Sequence, residues 1–250
     1  MAKKSLGQHW LNDSATLQYI CDEGEIAVGD TVLEVGPGTG TLTAKLLDAG
    51  ASVVAVELYH TLAQTLPSRF SGKPFELVEK NILEFDFSTL PSDYKVVANI
   101  PYYLTSNLIR VLSETPNQAS RVVLLVQKEV AERVAAGAGS MSLLSVSAQF
   151  YWDVTLGQVV GAKMFAPPPK VDSQVIIMTR KQSLLEVQDQ KKFFQLVKAG
   201  FASRRKTLLN SLAGGLRTEK EQIQIALDAV QIDSGRRAQT LSLTEWEKLY

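Results

Sequence analysis

The sequence predicts an α/β fold: a parallel sheet covered by helices on both faces, followed by a small all-helical domain. Two observations predict it. Short β-branched apolar runs alternate with segments of helical spacing as far as about residue 180, and beyond that point the strand signals stop. The first run is Thr31–Val35 (TVLEV), closed by Gly36-Pro37-Gly38, with helical spacing following over Leu42–Leu47. Ser52–Val56 (SVVAV), Phe75–Val78, Lys95–Ala98 and Val122–Val126 are further strands, and Leu104–Leu112 has the spacing of a helix between the last two. Ala135–Ser142 (AAGAGSMS) is made of small residues and reads as a surface loop, and Val175–Met178 (VIIM) is one more strand after the turn Pro167–Pro169. Near-continuous apolar strands separated by helices belong to a parallel sheet buried on both faces. Amphipathic helices are expected at Lys191–Ala202, Arg204–Leu212 and Glu219–Val230, with a short last one at Leu243–Leu249 and glycine punctuation at Gly214-Gly215 and Gly235. The boundary falls after residue 182, giving domains 1–182 and 183–250.

Composition bounds the function. A chain of 250 residues with 45% apolar and 21% charged residues is that of an ordinary globular protein, so disordered and collagen-like architectures are excluded. One cysteine rules out an internal disulfide framework and any Cys-based zinc site, and two histidines leave no His-rich metal site. The longest apolar run, Val122–Val126, falls far short of the ~20 residues a membrane helix needs. The segment MAKKSLGQHWLND has no apolar stretch behind its lysines and is no secretory signal. A cytoplasmic protein that does not enter membranes is expected. The zero net charge, 26 basic against 26 acidic residues, leans by itself against nucleic acid.

The strongest local signal is Glu34-Val35-Gly36-Pro37-Gly38-Thr39-Gly40, directly after a strand and opening a helix. Glycines there let the backbone turn sharply and let a ligand approach the main chain. The spacing is G-x-G-x-G rather than the G-x-G-x-x-G of dinucleotide-binding folds, and Pro37 removes a donor that a pyrophosphate would use. Glu57 ends the second strand, 21 residues after Gly36, where a carboxylate can accept hydrogen bonds from both hydroxyls of a ribose. A plain tight turn with a surface glutamate is the alternative. The two elements at this spacing are the pattern of S-adenosylmethionine (SAM) binding in the common Rossmann-like methyltransferase fold.

Asn99-Ile100-Pro101-Tyr102 follows the strand Lys95–Ala98 and lies at a carboxyl end of the sheet, where open α/β folds bind ligands. The exocyclic amine of adenine is a poor nucleophile because its lone pair is delocalised into the ring. The Asn99 side-chain carbonyl and the Ile100 backbone carbonyl can each accept one of its N–H groups and so localise the lone pair. Pro101 stiffens the turn, and Tyr102 offers a ring face for the base, with stacking worth about 1–3 kcal/mol. No general base is required, so the chemistry is positioning and electrostatics. An ordinary turn with a packed tyrosine is the alternative.

Together these residues resemble the ribosomal RNA adenine N6,N6-dimethyltransferase family of the KsgA/Erm type, over nearly the whole chain. SLGQHWLND, VLEVGPGTGTLT (Val32–Thr43), VVAVEL (Val53–Leu58), NIPYYLTSNLI (Asn99–Ile109), VQKEVAERV (Val126–Val134), FAPPPKVDS (Phe165–Ser173) and FASRRKTLLNSL (Phe201–Leu212) follow one another in the family's order. The resemblance implies that residues 1–182 form the SAM-binding catalytic domain and 183–250 an RNA-binding helical domain. It implies that His9 and Leu11 touch SAM, that Gly36 and Gly38 face its methionine portion, and that Glu57 holds the ribose. Asn99 also borders the cofactor, and with Tyr102 it holds the target adenine. Phe165 stacks on the other face of that base once it is flipped out of the RNA.

Three positions depart from the family pattern. Asn81 stands where an Asp usually contacts the cofactor adenine, and its carbonyl oxygen can still accept a hydrogen bond. Tyr59 replaces an Asp that usually follows Glu57-Leu58, and Met141-Ser142 replaces a Tyr-Gly pair. None touches Asn99, Pro101 or Tyr102, so an active enzyme is expected.

Split by region, the neutral charge balance is uneven. Residues 181–250 hold 12 Lys and Arg against 8 Asp and Glu, whereas residues 13–180 hold 12 against 18; Lys3 and Lys4 complete the count. Arg204, Arg205 and Lys206 form the basic cluster that matches the family and are expected to contact RNA phosphates. Lys191-Lys192 and Arg236-Arg237 read equally well as solvated helix faces. The resemblance implies, as substrate, two adjacent adenines in a 3′-terminal hairpin loop of small-subunit (16S) ribosomal RNA in a pre-30S particle, with SAM as methyl donor, no metal and a monomeric enzyme. An Erm-like enzyme acting on large-subunit RNA, a non-catalytic ribosome-assembly or transcription factor, and a small-molecule methyltransferase are the competing readings.

Overall fold

The computed structural model describes residues 9–181 and 187–250. Lys3, Lys4 and the start of the SLGQHWLND motif lie outside the described residues. The chain forms two compact units. One runs up to Ala131 and resumes over Asp153–Arg180; the other comprises Glu132–Trp152 and the chain from Lys181 to Tyr250.

The first unit is a mixed α/β layer structure. Trp10–Leu11 (β1) leads into Ser14–Glu23 (α1), whose first turn is capped by Asp13 accepting the Thr16 backbone N–H at 2.8 Å. Thr31–Val35 (β2), Thr41–Asp48 (α2) and Ser52–Glu57 (β3) form the first crossover unit. His60–Ala63 (α3) and Leu66–Arg69 (α4) are short and precede Phe75–Glu79 (β4) and Lys95–Asn99 (β5). Thr105–Glu114 (α5) buries Leu108, Ile109 and Leu112 on one face, and Arg121–Gln127 (β6) continues into Lys128–Val134 (α6). Trp152–Val160 (β7), Phe165–Ala166 (β8) and Ser173–Arg180 (β9) complete the strands.

The main sheet has the order β4-β3-β2-β5-β6-β9-β7. The pairs β4–β3, β3–β2, β2–β5 and β5–β6 are parallel, and β9 runs antiparallel to β6. Chain order therefore reverses direction between β2 and β5, which opens a crevice at their carboxyl ends. Val32, Leu33, Val53, Ala55, Val97, Val123 and Leu125 are buried in the sheet centre, the apolar continuity that the sequence displays. The strand β7 carries no such signal because it is an exposed edge: Leu156 and Val159 face solvent. A separate two-stranded ribbon pairs β1 with β8, placing Leu11 opposite Phe165 and Trp10 opposite Ala166.

The second unit is helical: Leu143–Tyr151 (α7), Val187–Phe201 (α8), Leu208–Leu216 (α9), Lys220–Ala229 (α10) and Leu243–Leu249 (α11). Its centre is aromatic, with Phe150 stacked on Phe193 at 4.9 Å and Trp246 buried against Phe201 and Gly200. The stretch Glu132–Trp152 belongs here although it lies well before residue 183. Ala135–Ser142 is the expected surface loop, exposed at residues 137–140, and is tied to its own unit by the backbone N–H groups of Gly139 and Met141, which both donate to the Gln239 carbonyl. Helix α9 is a second difference from expectation. It begins at Leu208, not Arg204, because Thr207 takes the N-cap and accepts the Asn210 N–H.

Candidate functional site

The strand ends converge on one cleft in the first unit. Of the sequence-singled residues, His9, Leu11, Gly36, Gly38, Glu57, Asn99, Ile100, Pro101, Tyr102 and Phe165 line it. Asn81 is not among the lining residues. Its carbonyl oxygen accepts the Leu83 backbone N–H at 3.1 Å and starts a short turn, so that oxygen is already engaged. Arg204, Arg205 and Lys206 lie in the second unit, exposed in the turn before α9, with no ion pair among the described residues.

The glycine turn sorts its residues by task. Gly36 has φ +66°, and a Cβ there would meet nothing closer than Pro101 Cδ at 3.9 Å, so bare backbone opens onto the cleft. Gly38, at φ +58°, faces the indole of Trp10, which would lie 2.2 Å from a Cβ. The ribbon strand β1 thus closes over the turn at Gly38, and Trp10 and Gly38 both line the cleft. The turn and the neighbouring carboxylate are tied together. Glu57, only 4% exposed, accepts the Tyr59 backbone N–H at 2.9 Å and is also held by the backbone N–H of Gly38. Burial raises its carboxyl above the ordinary range, and these donors oppose the rise.

Glu34, at the end of β2, is a second buried carboxylate in the lining, 2% exposed. Thr43 Oγ1 donates to its Oε2 at 2.6 Å. Burial pushes Glu34 up to about 8, with Thr43 opposing and the charge of Glu57 adding to the rise. Among the described residues no lysine or arginine lines the cleft. The result is an electronegative cleft with an open glycine backbone and an acid at the adjoining strand end. That donor set suits a ligand with a ribose and a net positive charge, and SAM is such a ligand.

The end of β5 supplies the rest. Asn99 is half-buried at the last ladder position, opposite Leu125 of β6, and Pro101 directs the chain into the turn Tyr102–Leu104. The Tyr102 hydroxyl and Ser173 Oγ, the first residue of β9, are 2.8 Å apart. Burial raises the Tyr102 phenol above its usual range. His9 lies alongside the Tyr102 ring, with centroids 5.8 Å apart and planes 23° apart, and its Nδ1 is 2.7 Å from the Pro167 carbonyl oxygen. One face of Tyr102 therefore has the imidazole beside it. Phe165, 4% exposed, reaches the cleft from the ribbon.

Sequence reasoning gave no role to Glu34, Trp10 or Ser173, though each sits inside a motif quoted for its neighbours: Glu34 opens the glycine turn, Trp10 lies between His9 and Leu11, and Ser173 ends FAPPPKVDS. Tyr59, singled out only as a departure from the family pattern, also lines the cleft.

A model of the family described as ribosomal RNA adenine dimethylase matches residues 1–249. A ribosomal RNA small subunit methyltransferase A from Dehalococcoides mccartyi strain CBDB1 is 42% identical over 257 aligned positions, covering 99% of this chain and 87% of the relative. Among solved structures, a dimethyladenosine transferase from Plasmodium falciparum superposes with a TM-score of 0.82 at 28% identity, covering 96% of each chain. The 23S rRNA methyltransferase ErmE superposes with a TM-score of 0.77 at 28% identity, covering 96% of this chain and 97% of its own.

Proposed function

The chain belongs to the ribosomal RNA adenine dimethylase family and is a SAM-dependent methyltransferase, and on that premise we propose that it dimethylates N6 of two adjacent adenines in small-subunit ribosomal RNA. The observation that carries this reading is the junction of two strand ends at the switch point. The open Gly36 backbone after β2 and the Asn99–Tyr102 turn after β5 line one cleft. The small-subunit target is favoured over a large-subunit one because a small-subunit relative is 42% identical, against 28% for ErmE.

The cofactor supplies an electrophilic methyl group on a sulfonium. Glu57 would hold the ribose hydroxyls, the backbone of Gly36 and Gly38 would face the methionine portion, and His9 and Leu11 would contact the cofactor from the ribbon. The Asn99 carbonyl and the Ile100 carbonyl accept the two N–H bonds of the adenine amine, turning its lone pair toward the methyl. The base lies on the face of Tyr102 away from His9 and is closed in by Phe165 after leaving its stack in the RNA. The amine proton departs to water after transfer, so the rate comes from positioning and from localising charge. Asn81 stands where the family usually carries Asp, and its side-chain oxygen, which caps the turn after β4, keeps a lone pair that would accept a hydrogen bond from the cofactor adenine amine.

Arg204, Arg205 and Lys206 give salt-dependent contacts to RNA phosphates. Residues 1–182 carry the catalytic function and the helical part after 183 carries RNA binding. The reading takes the enzyme as a monomer acting on a pre-30S particle in the cytoplasm. Among the described residues no helix is long and apolar enough to cross a membrane. The test is transfer of labelled methyl from SAM to purified small and large ribosomal subunits that lack the modification. Label on the small subunit is expected; label confined to the large subunit contradicts the proposal.

A further inference from the structure

Glu34 is used by none of the steps above. It lies in the cofactor cleft, is buried, and among the described residues faces no cation, since none of their lysines or arginines lines the cleft. From β3 it is faced by the carboxylate of Glu57, and from α2 by Thr43, which donates to it through Oγ1 at 2.6 Å. The other titratable side chains of the lining are His9, Tyr59 and Tyr102. Two buried carboxylates in one cleft, with no counter-cation among the described residues, cannot both carry charge cheaply. One must take a proton, and Glu34 is the more deeply buried. Its titration near 8 is in keeping with this.

Resting on the assignment of this cleft to SAM, we propose that Glu34 is the charge-sensing residue of the site: protonated in the free enzyme, it releases its proton to solvent when the cationic cofactor binds. The proton balance is simple. The free enzyme holds Glu34 as a neutral acid. The bound sulfonium supplies the missing positive charge, the carboxylate forms, and one proton leaves to buffer. After methyl transfer the cofactor product is a neutral thioether, and Glu34 takes a proton back. The product then loses the electrostatic attraction that held the substrate form, which favours exchange. Glu34 is a positioning residue in this scheme and does not touch the reacting amine.

Linkage gives the sign. A group whose proton is lost on binding makes affinity rise with pH, between the lower titration of the bound form and about 8 for the free form, and level off above it. The slope approaches about tenfold in affinity per pH unit for a full proton. The product S-adenosylhomocysteine has the same amino and carboxyl groups as SAM but no sulfonium. Comparing the two ligands cancels the shared carboxylate, and the same comparison in Glu34→Gln cancels the difference that the sulfonium makes to the amino group.

The experiment is calorimetric titration of the full-length protein with SAM and with S-adenosylhomocysteine at pH 7, in buffers of different ionisation enthalpy. A release close to one proton greater for SAM than for the product is expected, and Glu34→Gln, which keeps an acceptor for Thr43, removes that excess. Thr43→Val keeps the carboxyl but removes a donor that stabilises its charged form, so the pH window of SAM affinity shifts upward. Equal proton release for the two ligands, or an excess that survives in Glu34→Gln, overturns the inference. Absence of SAM binding by the wild-type protein contradicts instead the assignment of the cleft.

Discussion

The hydroxyl of Tyr102 and Oγ of Ser173 stand 2.8 Å apart, fastening the turn after β5 to the first residue of β9. The two residues are 71 positions apart, and the antiparallel register of β9 on β6, Ser173 opposite Gln127, holds the serine there.

Ser173→Ala leaves the tyrosine hydroxyl without this partner. The loss of one such hydrogen bond is worth about 1 kcal/mol. A roughly fivefold fall in kcat/KM for RNA is expected, with SAM affinity unchanged, and Tyr102→Phe should match it. Steady-state kinetics beside a SAM titration checks this; a matching loss of SAM affinity would point to collapse of the cleft instead.

Gly38→Ala forces a left-handed residue to carry a Cβ that would lie 2.2 Å from the Trp10 ring. Strain of this kind costs on the order of 1–3 kcal/mol. SAM affinity should fall at least tenfold. Adding Trp10→Ala should recover the steric part of the loss but not the part due to φ. Calorimetry of the single and double variants measures the two contributions.

Replacing Arg204, Arg205 and Lys206 together by Gln should leave SAM binding intact and weaken RNA binding. The slope of log affinity against log salt should fall by about 2–3 for three lost phosphate contacts. A slope equal to that of the wild type would remove these residues from the interface.

Arg236 differs from that cluster. It forms a two-pronged pair with Glu245, at 2.5 Å and 3.1 Å, and this pair holds the Glu245 carboxyl down at about 2. The stabilisation is fully present above the ordinary glutamate range and is lost as pH falls through that range toward about 2. Arg236→Ala should lower the melting temperature more than Arg237→Ala at pH 7, and the difference should shrink below pH 4. Thermal denaturation at several pH values provides the check.

The sequence made the five inner strands readable because burial on both faces leaves a nearly unbroken run of valine and leucine, as in Val122–Val126. It concealed β7, an exposed edge without that pattern, and β1 and β8, two residues each, which exist only by pairing with one another. Helix α9 was legible but its start was not, because Thr207 as cap is visible only once the preceding turn is seen. Within the cleft, the glycine turn, Glu57 and the Asn99–Tyr102 turn carry their chemistry in residue type and spacing. Trp10 over Gly38 and Ser173 beside Tyr102 are tertiary contacts between distant segments, and nothing local announces them. Asn81 was legible by its place after β4, but that its side-chain oxygen also caps the following turn is seen only in the fold.

Asn99 and its turn position adenine N6 of small-subunit ribosomal RNA for methylation by SAM. Mass spectrometry of that RNA, isolated from cells lacking this protein and treated with SAM and either wild-type enzyme or Asn99→Ala, tests this most directly. The wild type should install two adjacent N6,N6-dimethyladenosines near the 3′ end. The variant should bind RNA with unchanged affinity and install none. Dimethyladenosine already present in the untreated RNA, or full modification by the variant, contradicts the account.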